Sequence, residues 1–184
     1  MSRLRFNFDK AKLVNAVAYL SRACHNSTKL TICKLLYFAD KEHLLKYGRP
    51  ITGDQYYHLQ HGQIPTHGLN MMRGKADPAS NALLEKYVTV IGNSIHPKRA
   101  IDKRVFSKSD LEILNLVVER YGKMTAQQLW KLAHDEITCK ETEEGDAIDF
   151  ALFFKGRLDS EPVKALAEQE QESRDVLRSY AATQ

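Results

Sequence analysis

The segment from residue 34 to residue 65 constrains the fold of this chain more than any other part of the sequence. It reads KLLYFADKEHLLKYGRPITGDQYYHLQHGQIP. A helical pattern of apolar residues ends at Gly48, a residue that can take the left-handed conformation closing a helix, and Pro50 prevents continuation. A turn then leads into residues 56–59, which predict a short strand. So short a strand needs a partner strand or a covering helix to be stable.

Apolar spacing predicts a mainly α-helical fold around this segment. A first helix is expected over residues 9–24, with Asn7 as its N-cap, and a second begins after Ser27 or Thr28. The second helix is apolar over more than half of its circumference, which is typical of the central helix of a bundle. We interpret His61-Gly62 as a break after the strand and Pro65 as the first residue of a short helix.

The remainder of the chain continues this pattern. A β-hairpin is predicted over residues 88–96, and capping boxes headed by Ser107 and Thr125 begin two further helices. The acidic stretch 135–146 predicts a solvated loop, and a last helix over about residues 162–180 has a polar tail expected to project or fray. The expected architecture is one domain over residues 1–184, a helical bundle with a small β-hairpin or short strand element.

Composition sets the broad class of the protein. The chain has 184 residues, of which 43% are hydrophobic and 27% charged, as in ordinary globular domains. No apolar run is long enough to span a bilayer, and the N-terminus lacks the apolar core of a signal peptide. The three cysteines, Cys24, Cys33 and Cys139, form no C-x-x-C pair. Reduced thiols and a cytoplasmic location are therefore expected, with no membrane partner.

The charge is unevenly distributed along the chain. Residues 1–110 carry 18 lysines and arginines against 8 acidic residues, whereas residues 111–184 carry 9 against 15. Such polarity can steer a charged partner or favour head-to-tail contact between copies in a homo-oligomer, or it can be a solvated surface with no such role.

Several histidines invite a metal hypothesis that their spacing does not support. His58, His61 and His67 are close in sequence, but the alternation of a strand sends His58 and His61 to opposite faces. His134-x-Glu136 matches half of a zinc deaminase signature, with Cys139 nearby, yet the P-C-x-x-C partner is absent. We therefore expect no metal and no other cofactor.

Two other constellations allow more than one interpretation. Asp40 and His43 lie three residues apart on one helical face, which suits acid/base work in a hydrolase, a structural hydrogen bond to the following turn, or contact with a partner. The basic residues Lys98, Arg99, Lys103, Arg104 and Lys108 suit phosphate contact. A nucleic-acid-binding regulator is the main alternative function, although Asp102 interrupts the run and no recognition helix accompanies it.

Aromatic and arginine residues gather around the Gly/Pro turn. Tyr47, Arg49, Tyr56 and Tyr57 are of the residue types that dominate binding hot spots, because they offer large rigid surfaces with a polar tip. They predict a recognition surface; the alternative is that half of them pack in the core.

The same segment resembles the Panacea domain of SocA-like antitoxins, a bacterial and phage-associated family. The resemblance lies in KLLYFAD from Lys34, EHL from Glu42, YGRPITGD from Tyr47 and GQIP from Gly62, where Gln63 replaces a proline usual in the family. It is strong over about residues 34–65 and weaker to about residue 154. The motif positions matched are Lys34, Asp40, His43, Gly48, Gly53, Asp54, Gly62 and Pro65.

This resemblance implies a mainly α fold with a small β element and a non-enzymatic role as an antitoxin. The family neutralises a cognate protein toxin by direct contact, and SocA-like members deliver the toxin to a protease, so a protease or a chaperone is a further candidate partner. We expect toxin contacts on the surface of residues 47–65, carried by Tyr47, Arg49, Tyr56, Tyr57, His61 and Gln63.

Overall fold

The second helix of the chain is the centre around which the other elements pack. The computed structural model describes residues 4–157 and 161–182. Helix α1 spans Lys10–Ala23, and helix α2 spans Lys29–Tyr47. Thirteen residues of α2 are buried, and α2 contacts α1, the first hairpin and most of the C-terminal helices. The all-round burial expected of a central helix is confirmed, and so is the mainly α-helical class.

The ends of α1 and α2 follow simple capping chemistry. The Thr28 hydroxyl accepts from the Thr31 amide, and Gly48 closes α2 with a φ of 73°. The prediction that Asn7 caps α1 is wrong. Asp9 directly precedes the first helical residue, and its carboxylate accepts from the Lys12 amide at 2.9 Å.

The first hairpin follows the loop after α2. Strand β1, Tyr56–Leu59, pairs antiparallel with β2, Gly62–Pro65, with His58 opposite Gln63. The predicted break near His61-Gly62 and the short helix after it both form, but the prediction missed β2. The strand finds its partner in its own continuation after a two-residue turn, and the helix begins at Thr66, one residue later than predicted. Helix α3, Thr66–Met72, starts only after β2 ends.

The second hairpin lies beside the start of α2. Helix α4, Pro78–Glu85, is capped by Asp77, and strands β3, Val88–Ile91, and β4, Ser94–Pro97, pair antiparallel as predicted. The Ile95 amide donates to the Ser27 carbonyl at 2.7 Å, and the Lys29 amide donates to the Asn93 carbonyl at 2.8 Å. These bonds fix the hairpin turn against the N-terminus of α2.

The C-terminal half contributes further helices. The two predicted capping boxes form at Ser107 and Thr125. The elements are α5 (Lys108–Tyr121), α6 (Ala126–His134), α7 (Ile137–Lys140) and α8 (Glu161–Ala182), with 3-10 turns at Lys103–Val105 and Phe150–Phe154.

The acidic stretch 135–146 is not entirely the solvated loop predicted from its charge. It contains α7, in which Thr138 and Cys139 are buried. The Thr138 hydroxyl lies 2.6 Å from the Tyr37 hydroxyl and accepts from the Gln63 side-chain amide at 3.0 Å. Polar partners inside the fold therefore hold part of this segment against α2 and β2, which charge alone could not reveal.

Helix α8 lies against the end of α2. Ala167 is buried, and a side chain built on Gly48 would meet Leu166 at 3.3 Å. Further along, the Arg174 guanidinium lies 5.7 Å from the Phe6 ring centre. Contacts between α8 and the body of the fold therefore continue at least as far as Arg174.

Candidate functional site

A buried carboxylate ties the loop after α2 to the helix that precedes it. Asp40 is fully buried and accepts from the amides of Ile51 and Thr52 at 2.9 and 2.8 Å, and from the Tyr56 hydroxyl at 2.9 Å. Burial raises the pKa of the Asp40 carboxyl to about 6, although the hydrogen bonds from Thr52 and Tyr56 act in the opposite direction. This carboxylate fixes the shape of the loop and has no open side.

Asp54 fixes the other end of the same loop. Its buried carboxylate accepts from the amides of His67 and Gly68 at 3.0 and 2.8 Å. These amides in the first turn of α3 have no carbonyl acceptor within the helix, and Asp54 supplies an acceptor. It also lies 2.8 Å from the His67 ring nitrogen, and this hydrogen bond raises the pKa of His67. Gly53 takes a φ of 64°, and a Cβ there would lie 2.2 Å from the Asn7 carbonyl oxygen.

His43 belongs to a separate ionic cluster at the end of α2. Its Nδ1 lies 2.6 Å from the Arg49 carbonyl oxygen, and its Nε2 lies 3.1 Å from buried Asp110. Lys12 and the Arg49 guanidinium also reach Asp110, at 2.7 and 2.9 Å. Burial alone would raise the pKa of Asp110, but contacts with His43, Lys12, the Ser107 amide and Arg49 together hold it well below its ordinary value.

Lys34 anchors the first hairpin from inside the fold. Its fully buried ammonium donates to the Gln63 carbonyl at 3.1 Å, and burial lowers the pKa of Lys34 to about 8. Gly62 has a φ of 75°, and a Cβ there would lie 2.9 Å from Lys34 Nζ. The Gln63 side-chain amide donates to the Ala133 carbonyl at 2.7 Å.

The residues predicted to contact a partner lie in three environments. Tyr56 and Gln63 are fully buried, so they belong to the interior and are unavailable for direct contact. Tyr47 and Arg49 are half-buried at the end of α2, where the Tyr47 hydroxyl donates to Glu112 at 2.7 Å. Tyr57 is half-buried on β1, and His61 is exposed at the hairpin turn.

These predicted contact residues do not form one patch. Lys34, which holds the hairpin, precedes Tyr47 by 13 positions on α2, and this separation corresponds to about 20 Å along the helix axis. The fold therefore places His61 near one end of α2 and the pair of Tyr47 and Arg49 at the other.

A surface hollow lies next to His61. We call it the hairpin groove: it has a volume of about 540 Å³ and lies between the two hairpin turns, the start of α2 and the start of α6. Its lining includes Leu30, Leu59, His61, Ile64, Leu69 and Arg73. Leu59 is 39% exposed, whereas Ile64 on β2 is buried.

Sequence reasoning missed the hairpin groove. The signal available was Leu59, an apolar side chain directly before a two-residue turn. An isolated exposed leucine is common on protein surfaces, so it had no diagnostic value before the neighbouring elements were known.

The hydrolase hypothesis built on Asp40 and His43 is contradicted. Both side chains are fully buried, and each faces a different set of partners: Asp40 the loop after α2, and His43 the Asp110 cluster. They share neither a hydrogen bond nor an open pocket, so they cannot act together on a substrate.

The five basic residues near residue 100 are all exposed, and three of them make local contacts at the surface. Arg104 makes two hydrogen bonds to Asp102 at 2.9 and 2.8 Å. The Arg99 guanidinium lies 5.4 Å from the Tyr87 ring centre, and Lys98 donates to the Glu85 carbonyl at 2.7 Å. These contacts leave the run accessible to phosphate, so the nucleic-acid-binding alternative stays a prediction.

The histidines regroup in the fold. His67 bonds Asp54, and His61 lies at the hairpin turn, whereas His58 lies close to His134 and Cys139. The last three residues could hold a metal ion, since one ligand atom from each lies within 4.8 Å of the others.

Comparison with known proteins identifies the segment that carries the family likeness. A family model described as antitoxin SocA-like, Panacea domain, matches residues 32–138, more than half of the chain. No curated protein and no solved structure gave a match. Across residues 4–157 and 161–182, none of the helices has the length and apolar character needed to cross a membrane.

Proposed function

This chain belongs to the family of SocA-like antitoxins with a Panacea domain, and from that premise we propose that it neutralises a cognate protein toxin by binding it directly. The observation that carries the proposal is the extent of the match, which runs from α2 through both hairpins into α7. We further propose that the protein acts in the bacterial cytoplasm, within a phage-associated toxin–antitoxin pair, and has no enzymatic activity of its own.

The hairpin groove is the surface that best suits toxin contact. It combines an apolar floor at Ile64 and Leu69 with an exposed apolar rim at Leu59. Polar and charged groups, His61 and Arg73, lie at its edge, which is the usual arrangement of a hot spot surrounded by a polar rim. His61 is the one predicted contact residue that lines this groove.

The residues beneath the groove support a preformed surface. Lys34 and Gln63 hold β2 against α2 and α6, and the hydrogen bond from the Lys29 amide to the Asn93 carbonyl holds the second hairpin turn against α2. A surface fixed in this way loses little conformational freedom on binding, so more of the contact energy appears as affinity.

Co-expression tests the proposed function. The chain is produced with the product of its neighbouring gene, and growth and co-purification are followed. We expect that the neighbour alone stops growth, that the pair restores it, and that the two proteins purify as a stable complex. A neighbour that is harmless alone would contradict the antitoxin role for this pair.

The same experiment separates blocking from delivery. If growth is restored without a stable complex, the toxin level decides: a toxin that disappears only when the host protease is present indicates an adaptor, as in SocA-like members. An unchanged toxin level without a complex would contradict direct neutralisation altogether.

A further inference from the structure

Three side chains from two different metal hypotheses of the sequence analysis lie close together in the structure. His58 lies on β1, His134 is the last residue of α6, and Cys139 lies on α7. The Cys139 sulfur lies 3.1 Å from His58 Nε2, and one ligand atom from each residue lies within 4.8 Å of the others. The cluster lies outside the hydrogen-bond networks of Asp40, Asp54 and Asp110.

The second ring nitrogen of each histidine is already occupied. His58 Nδ1 lies 2.6 Å from the Thr142 carbonyl oxygen, and His134 Nδ1 lies 3.0 Å from the Trp130 carbonyl oxygen. A carbonyl oxygen can only accept, so both Nδ1 atoms carry a proton and each Nε2 has a lone pair. The Nε2 lone pair of His58 accepts from the Cys139 thiol, and a metal would replace that thiol proton. Histidines that bind metals in proteins are oriented in this way by a second hydrogen bond.

We propose that His58, His134 and Cys139 form a binding site for a divalent transition metal of the zinc class. On binding, the Cys139 thiol releases its proton to solvent, and the metal forms one bond to sulfur and one to each Nε2. Cys139 is almost buried and both histidines are half-buried, so a water molecule can reach the fourth position.

The geometry requires only small adjustments. Ligand atoms around a tetrahedral zinc lie about 3.5 Å apart, given metal bonds of about 2.0 to 2.3 Å. The sulfur and His58 Nε2 must therefore separate by a few tenths of an ångström, and no pair must close by more than about 1.3 Å. Rotation of the His134 ring at the end of α6 can supply this movement.

The donor set selects the class of metal. It has one sulfur and two imidazole nitrogens, which suit zinc and similar ions and are poor ligands for magnesium or calcium. Glu136, which lies between His134 and Cys139 in the sequence, pairs instead with Lys41. The Lys34 ammonium and the His134 ring both lie 2.9 Å from the position that a Cβ on Gly62 would take, so the ammonium is close to the cluster. It opposes a second cation, and binding therefore depends on the negative charge of the thiolate.

A bound metal would join parts of the chain that are far apart in sequence. It would connect the first hairpin to α6 and α7. Because the unfolded chain does not hold these residues together, metal binding should stabilise the folded state in proportion to its affinity.

Cobalt titration tests the proposal on the reduced full-length chain after removal of metals with a chelator. We expect one equivalent of Co²⁺ to produce a sulfur-to-cobalt charge-transfer band, which Zn²⁺ then removes by displacement. Cys139→Ser should abolish the band, and His134→Gln should weaken Co²⁺ binding at least ~10-fold. Two control variants change a cysteine and a histidine outside the cluster: Cys24→Ser and His96→Gln. Each should leave the charge-transfer band and the Co²⁺ affinity unchanged.

The outcomes are decisive in either direction. A titration of the wild-type chain without the charge-transfer band would overturn the proposal, and so would a band that survives in Cys139→Ser. If Cys139→Ser does not fold, His134→Gln decides, because that side chain is half-exposed at a helix end. Co²⁺ affinity in His134→Gln equal to that of the wild type would then overturn the three-residue site.

Discussion

The carboxylate of Asp40 accepts two hydrogen bonds from Thr52, one from the backbone amide at 2.8 Å and one from the hydroxyl at 2.5 Å. Twelve positions separate these residues, and the loop between them contains the Gly48 helix end and Pro50. The buried side chain of Asp40 thus fixes the path of the loop that follows α2. The position of this loop sets where β1 begins.

Replacement of Asp40 should therefore destabilise the whole fold. Asp40→Asn keeps the size of the side chain but puts an amide donor where Thr52 and Tyr56 already donate. We expect a loss of about 2–4 kcal/mol in the free energy of unfolding, because buried donors are left without an acceptor. Urea denaturation measures this loss. The control is Asp77→Asn at the exposed cap of α4, where asparagine caps as well as aspartate and the change should be close to zero.

The stability contributed by Asp40 should depend on pH. Its pKa in the folded state is raised from about 3.8 to about 6 by burial, so the folded state binds the proton more tightly than the unfolded state. The stabilising effect of that proton is fully present below about pH 4 and is lost as the pH rises through about 6. The free energy of unfolding of wild type minus that of Asp40→Asn should therefore fall between pH 4 and pH 7. A difference that rises with pH would contradict this assignment.

Asp110 should show the opposite pH dependence. Its pKa is depressed by His43, Lys12 and Arg49, so its contribution is present above the unfolded value near 3.8 and is lost as the pH falls. Asp110→Asn should cost about 3 kcal/mol near pH 7, because three basic groups lose their buried anion. The cost should shrink on titration toward pH 3. A cost that is constant over this range in urea denaturation would rule out the ionic explanation.

The two glycines with positive φ at residues 53 and 92 offer a matched test of close packing. A Cβ on Gly53 would lie 2.2 Å from the Asn7 carbonyl, whereas a Cβ on Gly92 would meet nothing within 4 Å. Gly92→Ala should cost only the left-handed backbone strain, about 1 kcal/mol, and Gly53→Ala should cost at least about 2 kcal/mol more. Thermal or urea unfolding measures the stability lost in each variant. Equal losses for Gly53→Ala and Gly92→Ala would contradict the close packing of Asn7 against Gly53.

Toxin binding should depend on the hairpin groove. Leu59→Asp together with His61→Ala places a charge on the apolar rim and removes an exposed ring, without touching the buried networks. We expect the complex with the cognate toxin to weaken by about 10- to 100-fold, or roughly 1.4 to 2.8 kcal/mol, with unchanged stability of the free antitoxin. Titration calorimetry or surface binding measures the affinity.

The matched control for the groove is Val176→Asp, an exposed apolar residue on α8. Its affinity should equal that of the wild type. If the groove variant binds normally and Arg49→Ala does not, the contact surface lies instead at the end of α2. Arg49→Ala must be compared at equal folded fraction, since Arg49 also pairs with buried Asp110.

The sequence was sufficient for most of the helices and for the family. Apolar periodicity, capping boxes at Ser107 and Thr125, and the glycine end of α2 are local signals, and each depends on residues within a few positions of one another. The motif that identifies the family is likewise contiguous, and the family match confirms it. The N-cap at Asp9 shows the limit of this reasoning, because several nearby polar residues can cap a helix and only the backbone decides between them.

Tertiary structure alone decided which polar residues face inward and which meet. The sequence could not show that Tyr56 and Gln63 are buried, because their partners, Asp40, Ala133 and Thr138, lie up to 75 positions away. It could not join His58 to Cys139, separated by 81 positions, nor form a groove from two hairpin turns and two helices. Local patterns determine secondary structure because those interactions are short in sequence, whereas a site consists of contacts that exist only after the chain has folded.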